Sequence, residues 1–590
     1  MEKDNKLNNL RHTLAHLLAS AVGEIYKFDK IKLTLGPSID NGFYYDIDFG
    51  DQKVADSDLK KIEEKMRKIL PKWTEFEHKE ITKEEAIDFF KNEYKVELIN
   101  EIAERGEKIT TYTCGGFTDL CRGGHLGHPS TEIDPLSFKL DRVAGAYWRG
   151  DEKNKMLTRI YGLAFETKEE LKAYILQQEE ARKRDHRKIG KEMGLFVFSE
   201  LVGPGLPLYT FKGAAIRREI VKFSNELQQQ IGYQEVYTPN MNKAELFKVS
   251  GHYEKYKEDM FKVVSNYTEE EYFLKPMNCP QHTQIYASQM RSYRDLPIRI
   301  ADFANLYRDE KPGELNGLTR LRAFCQDDGH CFCREDQIKD EFLSVLGIIK
   351  KAMETYQMKY TIRLSLWNPE TPEKYLGEPK IWEKSQKLLE EILIENKIDY
   401  VRAVGEAAIY GPKMDLISKD SIGREWQIST IQLDFIMPER FGLKYTDSDG
   451  SAKTPVMIHR AIVGSPERFL GILIEHYAGN FPLWLAPVQV KVIPVRTSHN
   501  EYAKQVYELL KENNIRVELD DAEENLGGKV RDAKNNKLPY WIVIGDKETE
   551  ANKVTLESRD LPAVAGAGQL GQMSKEELIT KLLEEIKNKK

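Results

Sequence analysis

The segment YRDEKPGELNGLTRLRAFCQDDGH, residues 307–330, gathers Arg308, Glu310, Arg320 and Arg322 around Pro312 and Gly313, then runs into Gln326, Asp328 and His330. Leu321, Ala323 and Phe324 interleave with these charges, as in a hairpin with one polar face. Guanidinium groups on such a face suit a polyphosphate, because they grip phosphate oxygens bidentately and stay charged when desolvated. An ordinary surface hairpin with ion pairs uses the same residue types, so this segment alone does not decide. A second segment, PVMIHRAIVGSPERFLGILIEHYAG, residues 455–479, puts Gly464 and Ser465 ahead of a helix predicted to start at Pro466. Arg468 falls in the first turn, where a helix N-terminus attracts anions. Near the front, His12-x-x-x-His16 sets two imidazoles on one helix face, and Cys121-x-x-x-His125 adds a thiol and a third ring. That spacing fits a tetrahedral zinc site and equally an unrelated set of residues. Cys325, Cys331 and Cys333 read as buried small hydrophobes, and His128 as a solvated loop residue.

The elements that must position these groups belong to several domains. At 590 residues the chain is too long for one core, and roughly three or four domains are expected. Hydrophobic content of 41% and charged content of 31% fit a globular protein. No apolar run approaches the roughly 18 residues that span a bilayer, and the N-terminus reads as an amphipathic helix, not a signal peptide. Six scattered cysteines predict a reducing cytoplasm. A net charge of −7 is neutral on nucleic acid, since a local basic face suffices. Residues 1–165 mix helices with short strands, including a turn at Asp40-Asn41-Gly42. Residues 166–192 predict one charged helix opened by a Thr167-x-x-Glu170 capping box. Residues 193–486 form a large central block, in which REIVKFSNELQQQIGYQEVYTPNM, 218–241, predicts a long helix and a strand ending at Pro239. Residues 487–590 alternate strand and helix, predicting an α/β domain with a largely parallel sheet, and Ser574-x-x-Glu577 opens its last helix.

A helix and strand ending in proline, an arginine hairpin, and Gly-Ser-x-Glu-Arg on a helix resemble the three signature motifs of class II aminoacyl-tRNA synthetases. KPMNCPQH, QDDGHCFC, AIYGPKMDL, WQISTIQLDF and PVMIHRAIVGSPERF resemble, in order, the threonyl-tRNA synthetase family. The resemblance covers nearly the whole chain. It implies a multidomain α+β and α/β protein: a class II antiparallel sheet flanked by helices (193–486), an N-terminal α+β editing domain (1–165), a linker helix (166–192) and a C-terminal α/β anticodon-binding domain (487–590). It implies ligation of L-threonine to tRNA(Thr) with ATP and Mg²⁺, in a homodimer whose interface includes the Pro239 motif. Arg308 would hold the α-phosphate and Arg468 the γ-phosphate, with Glu310 and Arg320 on the adenylate. Gln326, Asp328, Tyr410, Lys413, Gln432 and Ser465 would surround threonine and adenylate. Cys279, His330 and His459 would hold one Zn²⁺ per subunit that reads the amino and hydroxyl groups of threonine. Valine offers no oxygen to such a site, whereas serine lacks only a methyl, worth about 1–3 kcal/mol.

That serine leak gives the front domain its implied task, hydrolysis of Ser-tRNA(Thr), by His12, His16, Cys121 and His125 with Asp119 and Lys95 beside them. GPSIDNGFYYD and AYWRGDEKNKMLTRIYG reinforce the likeness. Three departures stand out. Family members commonly begin with a small β-rich domain, and its absence is expected here because His12 comes almost at once. Gln281 stands where glycine is usual, beside Cys279, and is expected to crowd the tRNA end or alter the loop. In the C-terminal block Glu548 matches a base-reading residue, while Glu557 and Lys537 stand where arginines are common, so anticodon contacts are expected to be rearranged. Serine or proline synthetases do not combine this ligand set with this front domain. A regulatory RNA-binding paralogue without catalysis would be expected to lack the arginines or ligands retained here.

Overall fold

The computed structural model describes residues 2–420, 423–561 and 569–590. The chain divides into two compact units, Met1–Glu179 and Glu180–Lys590, the division falling within the helix Lys168–Arg184.

In the first unit the helix Glu2–Tyr26 buries Leu10, Leu14, Leu17, Leu18 and Val22 along one stripe, the 3.6-residue period of a helix lying on a core. It packs on a sheet built from Lys32–Leu33, Gly42–Asp48, Met156–Ala164 and Phe138–Tyr147, all antiparallel. Asp40 and Asn41 form the expected two-residue turn, with Ile39 opposite Gly42. Gly42 is required there: a Cβ would lie 1.9 Å from the Gly162 carbonyl oxygen of the next strand. A second sheet of Glu77–Glu80, Thr110–Cys114 and Phe117–Leu120 completes the unit.

The predicted single helix 166–192 is two helices, Lys168–Arg184 and His186–Glu192. Asp185 ends the first by leaving helical geometry and accepting the Arg187 N–H, so it caps the second. The Thr167–Glu170 capping box is present as predicted.

The larger unit is organised by an eight-stranded sheet. Its central antiparallel strands, in spatial order, are Ile298–Tyr307, Ala323–Cys333, Val456–Ala461, Glu425–Asp434, Lys413–Lys419 and Lys359–Leu366. The edges are the parallel additions Gln234–Glu235 and Val401–Val404. The strand predicted to end at Pro239 is therefore only two residues long. Helices Phe211–Gln230, Ile338–Thr355 and Pro466–His476 share one core with the sheet, where Ile220, Phe342 and Leu470 meet Ile431 and Ile458. Cys331 and Cys333 are buried in that core as expected. Alternation of side chains along each strand leaves the opposite face free to build a site.

The C-terminal residues form a five-stranded sheet, Val517–Leu519, Val490–Pro494, Tyr540–Ile544, Val554–Ser558 and Gln569–Met573. The first three are parallel and the last two antiparallel, where a largely parallel sheet was expected. The connection between Ile544 and Val554 holds only the short helix Asp546–Ala551, too little chain for a parallel crossover.

Candidate active site

Across four neighbouring strands of the large sheet, His330, His459, Gln432 and Lys413 stand directly opposite one another. This transverse row forms the floor of a cavity of about 390 Å³. Gln326 and Asp328 precede His330 at two-residue spacing, so they share its face. Every candidate expected of the central block lines this one cavity: Arg308, Glu310, Arg320, Arg468, Gln326, Asp328, Tyr410, Lys413, Gln432, Ser465, Cys279, His330 and His459.

One end of the cavity is cationic. The loop after Tyr307 is closed by the Arg308 N–H donating to the Arg322 carbonyl at 2.9 Å, and it carries Arg308 beneath Phe324, 5.2 Å from the ring centroid. Ser465 caps the helix Pro466–His476 by accepting the Arg468 N–H, and Arg468 Nε donates to the Thr319 carbonyl at 2.9 Å. Desolvation lowers Arg308, and desolvation with Arg308 and Arg320 nearby lowers Arg468. Among the described residues neither arginine has an ion-pair partner, which suits both to an anionic ligand. Arg320 differs: its Nε donates to Glu310 Oε2 at 2.9 Å, and it also pairs with Glu314.

The same cavity also gathers side chains that can ligate a metal. Ligand atoms of Cys279, His330 and His459 all lie within 4.8 Å of one another, and all three residues are buried. Cys279 opens the helix Cys279–Ala287. Burial, with Asp328 and Asp434 nearby, pushes its thiol well up, so a thiolate there requires a cation. His330 Nε2 and His459 Nδ1 face each other at 2.9 Å, while His459 Nε2 donates to Asp434 Oδ2 at 2.9 Å. A buried cluster of one sulfur and two imidazole nitrogens with a carboxylate behind one ring fits a zinc ion. Burial pushes Asp328 up to about 7, and Gln432 Oε1 is a buried acceptor without a hydrogen-bond partner.

Several contributors were not singled out in the sequence. His282 sets its Nδ1 2.6 Å from His330 Nδ1 with the rings edge to face, and the spacing Cys279-x-x-His282 was a signal that could have drawn attention to it. His252 Nε2 lies 3.9 Å from the Cys279 sulfur, and burial pushes it down to about 3. Asp327 points to the opposite face from Asp328 and accepts the backbone N–H groups of Ile462, Val463 and Gly464 and the Ser224 hydroxyl. Gln281 does not line the cavity: its amide donates to the Pro239 carbonyl at 2.8 Å and to Asn242 at 2.7 Å.

In the first unit, His12 and His16 lie on the helix Glu2–Tyr26, Cys121 follows the strand Phe117–Leu120, and His125 lies in the next loop. Cys121 Sγ is 3.5 Å from His12 Nε2 and 3.3 Å from His125 Nε2, and all four ligand atoms fall within 4.8 Å of one another. Burial lowers all three histidines, His125 to about 2, and raises Cys121 to about 11. Lys95 Nζ donates to Asp119 Oδ1 at 2.5 Å and the Tyr45 hydroxyl donates to its other oxygen at 2.6 Å. His128 is exposed. Among the C-terminal residues Glu548, on the helix Asp546–Ala551, accepts the Gly545 N–H and the Thr555 hydroxyl, Glu557 accepts the Trp541 indole N–H, and Lys537 donates to the Ala478 carbonyl.

An antiparallel sheet whose arginine loop and helix N-terminus face the same cavity defines the core of a class II aminoacyl-tRNA synthetase. The family model for the tRNA synthetase class II core domain (G, H, P, S and T) matches residues 261–477. The anticodon binding domain model matches 489–585, and the threonyl and alanyl tRNA synthetase second additional domain matches 109–161. The threonine–tRNA ligase of Deinococcus radiodurans is 48% identical over 586 residues, 98% of this chain and 89% of that protein. That of Thermus thermophilus is 48% identical over 97% of this chain and 88% of its own length. A solved RNA-binding domain of threonyl-tRNA synthetase from Cryptosporidium parvum is 36% identical, covers 68% of this chain and 98% of its own, and superposes with a TM-score of 0.64. The chain belongs to the threonine–tRNA ligase family.

Proposed function

We propose that this chain joins L-threonine to tRNA(Thr) through a threonyl-adenylate and hydrolyses mischarged Ser-tRNA(Thr) in its first unit. The observation that carries the reading is one cavity lined both by Arg308 and Arg468, which have no ion-pair partner among the described residues, and by Cys279, His330 and His459. ATP lies across the arginine end, its α-phosphate on Arg308 and its γ-phosphate on Arg468, with Mg²⁺ as its counterion. Glu310 and Arg320 act on the adenylate. The threonine carboxylate attacks the α-phosphorus in line and pyrophosphate leaves towards Arg468. Little covalent work falls to the protein, so positioning and charge neutralisation lower the barrier. Cys279, His330 and His459 would hold a zinc ion, which would supply a Lewis-acid contact for the amino and hydroxyl groups of threonine. Gln326, Asp328, Tyr410, Lys413, Gln432 and Ser465 fix the amino acid and adenylate from the floor and walls, and the unpartnered Gln432 oxygen supports that assignment.

The desolvated, neutral imidazoles of His12, His16 and His125 position the water that attacks the seryl ester, and Lys95 with Asp119 fixes one wall of the editing site. We assign 1–165 to editing, 166–192 to the linker, 193–486 to activation and 487–590 to anticodon binding through Glu548. Tyr237 and Met241, exposed on either side of Pro239, support a homodimer interface. No described helix is long and apolar enough to cross a membrane, and cytoplasmic residence follows from the ligase reading. Retention of both arginines and the full ligand set speaks against a non-catalytic RNA-binding paralogue.

The test is ATP–pyrophosphate exchange with threonine, serine and valine, before and after chelation. Exchange with threonine, less with serine, none with valine, and loss on chelation are expected. Folded, metal-loaded protein that exchanges with no amino acid overturns the reading.

A further inference from the structure

The second of the two linker helices opens with a buried histidine that no step above uses. His186 donates from both its backbone N–H and its ring Nδ1–H to one oxygen of Glu475, Oε1, at 3.1 and 2.7 Å. Glu475 is itself buried near the end of the helix Pro466–His476, and its other oxygen pairs with Arg424. The far ring nitrogen, Nε2, accepts the Leu318 N–H at 3.0 Å. A backbone N–H can only donate, so this contact fixes Nε2 as the unprotonated nitrogen, in agreement with Nδ1 donating to the carboxylate. Gly317 packs flat against the ring: its φ is +50°, and a Cβ there would lie 2.1 Å from Nε2.

Leu318 and Thr319 belong to the arginine-bearing loop between the strands Ile298–Tyr307 and Ala323–Cys333, and both line the cavity beside Arg468. The next carbonyl after Leu318, that of Thr319, accepts Arg468 Nε. The contacts thus run unbroken from Arg424 through Glu475 and His186 to the loop backbone, and from the loop backbone to Arg468. Both ring nitrogens of His186 are engaged, so the Asp185, His186 and Glu475 cluster has no free imidazole nitrogen for a metal.

We propose that His186 is a positioning residue for ATP activation: it holds the tip of the phosphate-binding loop through Leu318 and thereby sets the direction of Arg468. The proposal rests on the ligase reading. A side chain that merely fills space would affect stability without separating the two substrates. A strut on the arginine loop must act on ATP and leave threonine and the metal alone, because among the described residues its contacts run to the loop backbone and Arg468 and not to Cys279, His330 or His459.

Two substitutions divide the histidine's two bonds. His186→Asn keeps a donor near the Nδ1 position and removes the acceptor for Leu318. His186→Gln reaches the Nε2 position with an oxygen and keeps that acceptor. In the full-length, zinc-loaded protein, His186→Asn is expected to raise the KM for ATP about tenfold in pyrophosphate exchange, as expected for a buried N–H losing its partner. The KM for threonine and the zinc content stay within about twofold, and His186→Gln recovers most of the loss. Hydrogen–deuterium exchange gives a readout independent of activity: the Leu318 amide exchanges about tenfold faster in His186→Asn and at the parent rate in His186→Gln. If His186→Asn does not fold, Glu475→Gln serves, because it sets an N–H against either His186 or Arg424. It too must raise the KM for ATP and speed Leu318 exchange. An unchanged ATP KM with unchanged Leu318 exchange overturns the proposal, as does an equal rise in the threonine KM. If the parent protein itself shows no exchange activity, the ligase reading fails, and Leu318 protection still judges the strut.

Discussion

Asp434 offers a sharp test of how the proposed metal site is set up. It is fully buried. Its Oδ1 accepts two backbone N–H groups, from Ile436 and Met437, each at 2.8 Å. Its Oδ2 accepts His459 Nε2–H, which leaves the lone pair of His459 on Nδ1, the atom facing His330 and the cavity. In Asp434→Asn the amide oxygen must stay on the two backbone donors, so the NH₂ group faces His459. The ring then has to accept at Nε2 and carry its proton on Nδ1, where the metal would bind. Loss of such an outer partner lowers metal affinity about 10–100-fold, or about 1.4–2.7 kcal/mol. The reversed tautomer places Asp434→Asn at the hundredfold end of that range. Asp434→Ala imposes no tautomer, so it retains zinc better. It leaves two buried N–H groups without acceptors, however, at about 1–3 kcal/mol each, so it is the less stable variant. Competition against a chromogenic chelator, with thermal melts alongside, separates the two orders. Zinc held by Asp434→Asn as tightly as by the parent, or more tightly than by Asp434→Ala, would refute the reasoning.

Arg468→Ala and Arg308→Ala should each reduce pyrophosphate exchange by about a hundredfold or more with zinc content unchanged; metal loss in either would place the arginines in the wrong half of the site. Metal analysis should give one zinc per chain, lost in Cys279→Ser and retained in Cys121→Ser, and two per chain would make the front cluster a second metal site. The folded state lowers His12, His16 and His125 below the ordinary value of 6.5. Their contribution is therefore complete above pH 6.5 and declines as pH falls below it. For His125 alone the loss is about 1.4 kcal/mol by pH 5.5. Limited proteolysis within residues 1–179 should accelerate below pH 6.5, and less steeply in His125→Gln; a pH-independent rate counts against the desolvated cluster.

The parts of this site that sequence makes visible are those coded within a few residues. The arginine hairpin, the Ser465 cap, the His12–His16 face and the turn before Gly42 all follow from local spacing and local hydrogen bonding. The alignment of His330, His459, Gln432 and Lys413 does not, because it arises only when four strands distant in sequence are paired. Asp434 and His252 escaped notice for the same reason: each acts by backing a ligand from another element. Asp327 was hidden beside Asp328, where only strand alternation separates a residue that fastens backbone from one that faces the cavity. The break at Asp185 was masked by continuous helix-favouring composition, and the antiparallel end of the last sheet depended on how few residues separate Ile544 from Val554.

The row across the sheet has a consequence for how the molecule assembles. His459 meets His330 on one side and Gln432 on the other, and a slip of one residue between strands would turn one of them to the far face. A chain zipped out of step would keep every ligand in its sequence and hold no ion. On the ligase reading, retained metal would therefore count the molecules in which the central strands have closed in the right alignment, and the proposed amino-acid pocket would double as an inspection point for the fold that surrounds it.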